Sequence, residues 1–172
     1  SSDVCSSDLA LYLGQGGSMG GGLADYFITD RVASPPEHAS AYDEALAYLP
    51  DTMANLQEDD VLPDTAPDRA SFGLPEKAFV FCGFSNNYKI TPEVFDIWME
   101  LLREIPDSVL WLRKYHRAVV ANLHAAAEAR GIAPDRLILA PALPRNAYLN
   151  RYRCADLFLD TLPYGCCSTA AD

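Results

Sequence analysis

Three stretches of this chain carry residues able to hold a charged ligand, and each follows a short apolar run. Gly83-Phe-Ser-Asn-Asn-Tyr-Lys89 offers small amides, Asn86 among them, and the ammonium of Lys89. Pro141-Ala-Leu-Pro-Arg-Asn-Ala-Tyr148 brings Arg145 and then an aromatic ring, Tyr148. Thr161-Leu-Pro-Tyr-Gly-Cys-Cys-Ser-Thr-Ala-Ala-Asp172 gathers small residues ahead of Ser168 and Thr169 and ends on Asp172. Ser168-Thr169 suits the start of a helix, where unpaired N–H groups and the positive dipole end hold phosphate oxygens. Asp172, one turn in, can accept hydrogen bonds from sugar hydroxyls. Each stretch alone also fits a plainer role: a solvated Lys, an exposed Arg at a helix start, an N-cap with a dipole-complementing Asp. Together they supply what a nucleotide diphosphate needs, donors for its charge and an aromatic face for its base.

The elements that must position these residues follow from the apolar pattern. Short strands are expected at 78–82, 108–112, 136–140 and 156–160. Between the first two, Thr91 is a natural N-cap and Pro92 a natural first helical residue. Val94, Ile97, Trp98, Leu101, Leu102 and Ile105 then share one helical face. A second helix is expected over 117–130, closed by Gly131. Strand and helix alternating at intervals of about 30 residues predict right-handed βαβ units and a parallel sheet. Ligands in such α/β sheets bind beyond the carboxyl ends of the strands, where the three stretches lie.

The first third is less regular. Residues 1–9 show no period and are expected to be disordered or foreign to the fold. Apolar runs at 10–13 and 26–29 flank the glycine-rich Gly14–Gly22, which lacks the order of a phosphate-binding P-loop and equally fits a flexible connector. A short helix is expected over 37–45, with Pro35 and Pro36 at its first turn. The acidic stretch 58–71, with Pro63 and Pro67, is the candidate linker.

Composition narrows the function classes. The 172 residues carry a formal net charge of −11. General nucleic-acid binding needs clustered Lys and Arg, so no nucleic-acid partner is expected. No apolar run approaches the roughly 20 residues of a membrane span, and no secretory leader is visible, which predicts a cytoplasmic protein without a membrane partner. Five cysteines form no CxxC pair, so neither a zinc site nor a disulfide framework is expected. Cys82 and Cys154 sit in apolar surroundings and read as small buried hydrophobes. A redox role for the adjacent Cys166 and Cys167 is disfavoured by the strain of joining neighbouring thiols.

Read together, Phe81-Cys-Gly-Phe-Ser-Asn-Asn-Tyr-Lys-Ile-Thr-Pro92, Ile105-Pro-Asp-Ser-Val-Leu-Trp-Leu112 and Ala155-Asp-Leu-Phe-Leu-Asp-Thr-Leu-Pro-Tyr164 resemble the catalytic region of bacterial O-linked N-acetylglucosamine transferases, a family that includes the plant SPINDLY type. Upstream, Gly17-Ser-Met-Gly-Gly21, Asp25-Tyr-Phe-Ile-Thr-Asp30 and Glu44-Ala-Leu-Ala-Tyr-Leu-Pro50 match in position, so the likeness runs from about Ala10 to Asp172. The resemblance implies an α/β protein with two Rossmann-like lobes of GT-B type, both incomplete here: 10–57 as the end of the first, 72–172 as the start of the second, nucleotide-sugar-binding lobe. It implies inverting transfer, without a metal or other cofactor, of a sugar from a nucleotide-sugar donor, usually UDP-N-acetylglucosamine with other UDP-hexoses and GDP-fucose left open, to Ser or Thr of a protein or peptide acceptor. Tetratricopeptide repeats upstream usually select the acceptor.

By position, Lys89 matches the lysine that neutralises the diphosphate leaving group. A fixed cation at such a place is worth roughly 3 kcal/mol in the transition state. Asn86 matches an amide beside the donor, Arg145 a basic residue near the uracil, and Tyr148 the ring that stacks on it. Ser168 and Thr169 match a Thr pair on the β-phosphate, Asp172 a ribose-binding Asp, and Ser18 a Thr of the glycine loop. Cys167 departs from the family's His near the donor, which puts turnover in question and leaves a non-catalytic nucleotide-sugar binder of the same fold as the alternative. The chain stops ahead of the helix that Ser168–Asp172 should open, so by itself it is expected to be inactive.

Overall fold

The computed structural model describes residues 8–14, 16–54, 62–166 and 169. The chain divides into two compact units, Ser1–Gln57 and Glu58–Asp172. Among the described residues no helix is long and apolar enough to cross a membrane.

The first unit is a small parallel sheet in the order β1 (Ala10–Leu11), β2 (Tyr26–Thr29), β3 (Ala45–Tyr48). Phe27 on β2 is fully buried and stacks on Tyr42, centroids 5.4 Å apart. Behind it a hydroxyl chain runs from Thr29 to Ser34 (2.8 Å) and from Ser34 to Tyr42 (2.9 Å). The helix expected over 37–45 is instead a 3-10 turn, Pro36–Ala41, and Ala45 already begins β3. The alternation in Ala45-Leu-Ala-Tyr48 is a strand pattern, and pairing with β2 decides the matter. In the glycine-rich segment, Gly20, Gly21 and Gly22 all have φ near +65°, which only glycine adopts freely. The turn is held from β3's leading end: Glu44 Oε1 accepts from Met19 N at 2.9 Å and Asp43 Oδ2 from Gly21 N at 2.8 Å.

The second unit is a parallel sheet in the order β6-β5-β4-β7, with β4 Phe79–Gly83, β5 Ser108–Arg113, β6 Leu137–Ala140 and β7 Leu157–Phe158. Register is continuous across it, with Phe81 opposite Leu110 and Leu157, and Leu110 opposite Leu137. α1 (Pro92–Glu104) and α2 (Arg117–Glu128) contribute to one buried cluster with Phe81, Leu110, Leu112 and Leu137. Val80, Cys82, Trp111 and Ala140 point the other way, into a cluster with Leu74, Phe84 and Cys154. Period-two alternation therefore sorts the strand residues into two cores. Burial pushes the Cys82 thiol up to about 12, as suits an inert core residue.

Two details differ from the sequence pattern. The buried side of α1 is Val94, Phe95, Trp98, Met99 and Leu102, whereas Ile97 is 56% exposed. Phe95 lies under Arg130, the second residue past α2, so the helix turns its apolar arc toward a neighbour that periodicity alone does not reveal. β7 is two residues long instead of five. The stretch 62–72 lies along the second unit: Arg153 Nη1 donates to Pro63 O (2.8 Å), Asn150 Nδ2 to Thr65 O (3.3 Å) and Cys154 Sγ to Pro67 O (3.2 Å).

The order 6-5-4-7 sets the site. β4 leads through α1 to β5 on one side, while the chain returns from β6 to place β7 on the other. The crevice between the carboxyl ends of β4 and β7 is therefore the topological switch point, where open α/β sheets bind their ligands.

Candidate nucleotide-sugar site

At the carboxyl ends of β4, β5 and β6 lies a cavity of about 270 Å³ lined by Phe84, Arg113, Lys114, Ala140, Pro141, Ala142, Leu143, Tyr148, Arg151 and Thr169. That is near the lower end of ligand-sized cavities, about 300 Å³. Its walls combine aromatic rings with three cations, a lining suited to a flat base attached to a polyanion.

Arg151 is its most unusual member. It directly follows α3 (Arg145–Asn150), three residues after Tyr148, and is 3% exposed. Its guanidinium lies over Phe84 (3.9 Å) and Tyr148 (4.4 Å) and donates through Nη1 to Pro141 O at 2.9 Å. Arg151 Nε has no partner among the described residues. Burial works against this charge and lowers the pKa from its ordinary value, and a buried cation with an unused donor is one built to meet an anion or a carbonyl. Tyr148 is half-buried and shares a 2.7 Å hydrogen bond with Tyr152 OH.

Asn86 is exposed and accepts at Oδ1 from Arg113 Nη1 at 2.7 Å, which leaves the Asn86 amide N–H groups turned elsewhere. Beneath it Tyr115 OH donates to Ser85 O at 2.7 Å, and burial pushes the Tyr115 phenol up to about 12. Lys89 closes a 3-10 turn, Asn87–Lys89, and its Nζ donates to Gly165 O at 2.8 Å across the switch point. Thr169 N donates to Cys166 O at 2.8 Å.

The residues expected from sequence therefore fall into groups. Tyr148 and Thr169 line the cavity, and Asn86 reaches it through Arg113. Lys89 is tied to the loop that leads to Thr169. Arg145 stands exposed at the first position of α3. Ser18 belongs to the first unit, where its Oγ accepts from Gly20 N (3.0 Å) and Asp43 N (3.3 Å) and braces its own loop. Ser168, Asp172 and Cys167 lie outside the described residues. Sequence reasoning missed Arg113, Lys114 and Arg151. The first two stand at and just past the end of β5, and Arg151 lies at i+3 from Tyr148, the spacing that shares a helix face; both signals were present in the chain.

An open parallel sheet with a cationic, aromatic cavity at the carboxyl ends of its strands defines an α/β protein of Rossmann type. The glycosyl transferase family 41 model matches residues 8–63 and 56–172, and the chain belongs to that family. It is 33% identical over 155 residues to the probable UDP-N-acetylglucosamine–peptide N-acetylglucosaminyltransferase SEC of Arabidopsis thaliana, covering 87% of this chain and 16% of that protein. It is 30% identical over 152 residues to the probable enzyme SPINDLY of Petunia hybrida, covering 86% of this chain and 16% of the relative. A lysine-to-methionine mutant of the Thermobaculum terrenum O-GlcNAc transferase superposes with a TM-score of 0.78 at 27% identity, over 94% of this chain and 30% of that one. The α/β fold is accordingly of GT-B type, with each of the two sheets a partial one.

Proposed function

We propose that this chain is the donor-binding part of a glycosyltransferase that moves N-acetylglucosamine from UDP-N-acetylglucosamine to Ser or Thr hydroxyls of a protein acceptor. The observation that carries the reading is the cavity at the carboxyl ends of β4–β6, with Arg151, Arg113 and Tyr148 in its wall, in a chain of family 41. The base would lie by Tyr148 and Arg151, the phosphates toward Lys89 and Thr169. Asn86, with its carbonyl oxygen taken by Arg113, would offer its N–H groups to the donor, and Arg145 would add positive charge at the rim. Ser168 and Asp172 are assigned the β-phosphate and the ribose by their place in the family motif. Ser18 is carried as a donor-side residue on the same ground.

In the reaction we assign, the acceptor hydroxyl oxygen bonds to the anomeric carbon as the bond from that carbon to the diphosphate breaks, a single displacement with inversion in which the hydroxyl proton passes to the departing diphosphate or to water. Negative charge grows on the leaving diphosphate, and the Lys89 ammonium supplies the fixed positive charge that meets it. Protein cations do that work here without a metal or other cofactor. Cys82, Cys154 and Cys166 are free thiols, which suits a reducing, cytoplasmic setting. Lys89→Ala in the full-length protein is expected to lower transfer by about 100-fold or more, given roughly 3 kcal/mol for such a charge. Undiminished transfer by that variant would sink the assignment. The Gly165-Cys166-Cys167 sequence supports a second reading, a nucleotide-sugar binder without turnover; UDP binding by calorimetry with no transfer to any acceptor would select it.

A further inference from the structure

The Lys89 ammonium rests on the Gly165 carbonyl, so whatever fixes that carbonyl also fixes the lysine. The loop that follows β7 is closed on itself by one carboxylate. Asp160 Oδ1 accepts from Thr161 N at 2.7 Å and from Cys166 N at 2.6 Å. Inside the ring, the fully buried Thr161 donates through Oγ1 to Tyr164 O at 2.7 Å. Gly165 passes so close that a Cβ there would stand 3.1 Å from Asp160 Oδ2. The atoms nearest a Cβ at Gly165 are all of the Asp160 carboxylate, and its carbonyl carries the lysine from across the crevice.

We propose that Asp160 is a positioning residue for Lys89: its carboxylate closes the 160–166 loop, turns the Gly165 carbonyl toward the loop after β4, and so holds the ammonium at the switch point before any donor arrives. The proposal rests on the donor-site reading above for its consequence in binding, but not for its geometry. An ammonium has three N–H donors, so one can stay on Gly165 O while two reach phosphate oxygens. Preorganising a flexible side chain in this way removes an ordering cost from the binding step. Partial burial works against the Asp160 charge, yet the bonds from Cys166 and Thr161 and the nearby Lys89 ammonium hold its carboxyl below the ordinary value.

The test has a structural arm and a binding arm, both in the full-length protein. Reductive methylation followed by mass spectrometry should label Lys89 several-fold more slowly than the exposed Lys77. Asp160→Ala should bring the two rates together, and Asp160→Asn, which keeps an oxygen for both amides, should restore most of the protection. By calorimetry, Asp160→Ala should weaken UDP binding about tenfold, and the Lys89→Ala/Asp160→Ala pair should bind no more weakly than Lys89→Ala alone, because the second residue acts through the first. Unchanged protection of Lys89 in Asp160→Ala, or losses that multiply in the pair, would overturn the proposal. A wild-type protein that binds no UDP but whose Lys89 protection follows Asp160 would refute the donor site and leave the positioning role standing. Should Asp160→Ala lose its cooperative thermal transition, Gly165→Ala serves instead. Its added methyl presses on Oδ2 and should expose Lys89, and protection equal to wild type would count against the idea.

Discussion

The two units solve the same problem, fixing loops at the ends of a parallel sheet, with opposite charges. In the first, Asp30 is 4% exposed and its carboxylate is fully used: Oδ1 accepts from Val32 N and Ala33 N, both at 2.8 Å, and Oδ2 from Met53 N at 2.7 Å and Thr52 Oγ1 at 3.5 Å. A carboxylate offers about four acceptor sites, so no room is left for a ligand. In the second unit the buried charge is Arg151, which has five donors, spends Nη1 on Pro141 O and keeps Nε unpartnered among the described residues. The first arrangement is closed and structural, the second open and receptive. Counting used against available hydrogen-bonding sites separates a scaffold from a site where burial alone, similar for Asp30 and Arg151, does not.

The largest effect that could break this contrast is on Arg151. Arg151→Met keeps an unbranched, polarisable chain over Phe84 and removes only the charge and its donors. UDP affinity is expected to fall about 100-fold, or ~2.7 kcal/mol, the range for a buried charge-assisted contact. Calorimetry on variant and parent decides it. Equal affinities would make Arg151 as closed and structural as Asp30.

Acid should separate the units next. Bonds from the Met53 and Ala33 amides are the leading cause that holds the Asp30 carboxyl below its ordinary value, and the Ser18 hydroxyl bond leads for Glu44, in each case against the desolvation of a buried charge. Carboxylates depressed on folding stabilise the native state above their unfolded pKa, near 4, and lose that contribution as pH falls through the lower folded value. Both tryptophans, Trp98 and Trp111, belong to the second unit, so fluorescence reports on it alone. Amide protection at Ala33 and Met53 should fall below about pH 4 before tryptophan emission shifts. Asp30→Asn keeps one acceptor oxygen, which can still serve the Val32 and Ala33 amides, but puts an NH2 donor opposite Met53 N, so the Met53 protection should be lost already at neutral pH. Simultaneous transitions in both units would mean that the carboxylates of the first are not its weak point.

Legibility in the chain followed the range of the forces involved. Thr91-Pro92 at the start of α1 and the strands β4, β5 and β6 depend on neighbours within a few residues and match the structure closely, whereas β7 keeps two of its five expected residues. The buried arc of α1 was misjudged because Phe95 answers to the end of α2, where Arg130 covers its ring, and the strand at Ala45–Tyr48 because pairing with β2 overrides a local helical start. At the site, Lys89, Asn86 and Tyr148 could be picked out as polar or aromatic residues past strand ends. Arg151 could not be weighed from spacing alone, because its meaning lies in burial against Phe84 and Pro141. Asp160 had no signal at all, since a loop-closing carboxylate reads like any surface Asp.

The smallest effect tests whether stability and binding are separable within the second unit. Thr91 Oγ1 accepts from Val94 N at 3.3 Å and caps α1, and a cap of this kind contributes about 1 kcal/mol. Thr91→Ala should therefore lower the melting temperature by a few degrees. Whether it also moves UDP affinity depends on how stiffly the chain ahead of the helix is held. Thr91 N donates to Lys89 O at 3.1 Å and Ile90 N to Asn87 O at 3.1 Å, so the turn bearing Lys89 has backbone bonds that do not involve the Thr91 hydroxyl. Lys89 is also anchored at its tip by Gly165 O. With both ends of the lysine fixed independently of the cap, UDP affinity should stay within about twofold while stability falls. A parallel loss of affinity would show that the first turn of α1 and the Lys89 turn move as one piece, placing the donor loop on the helix instead of on the crevice.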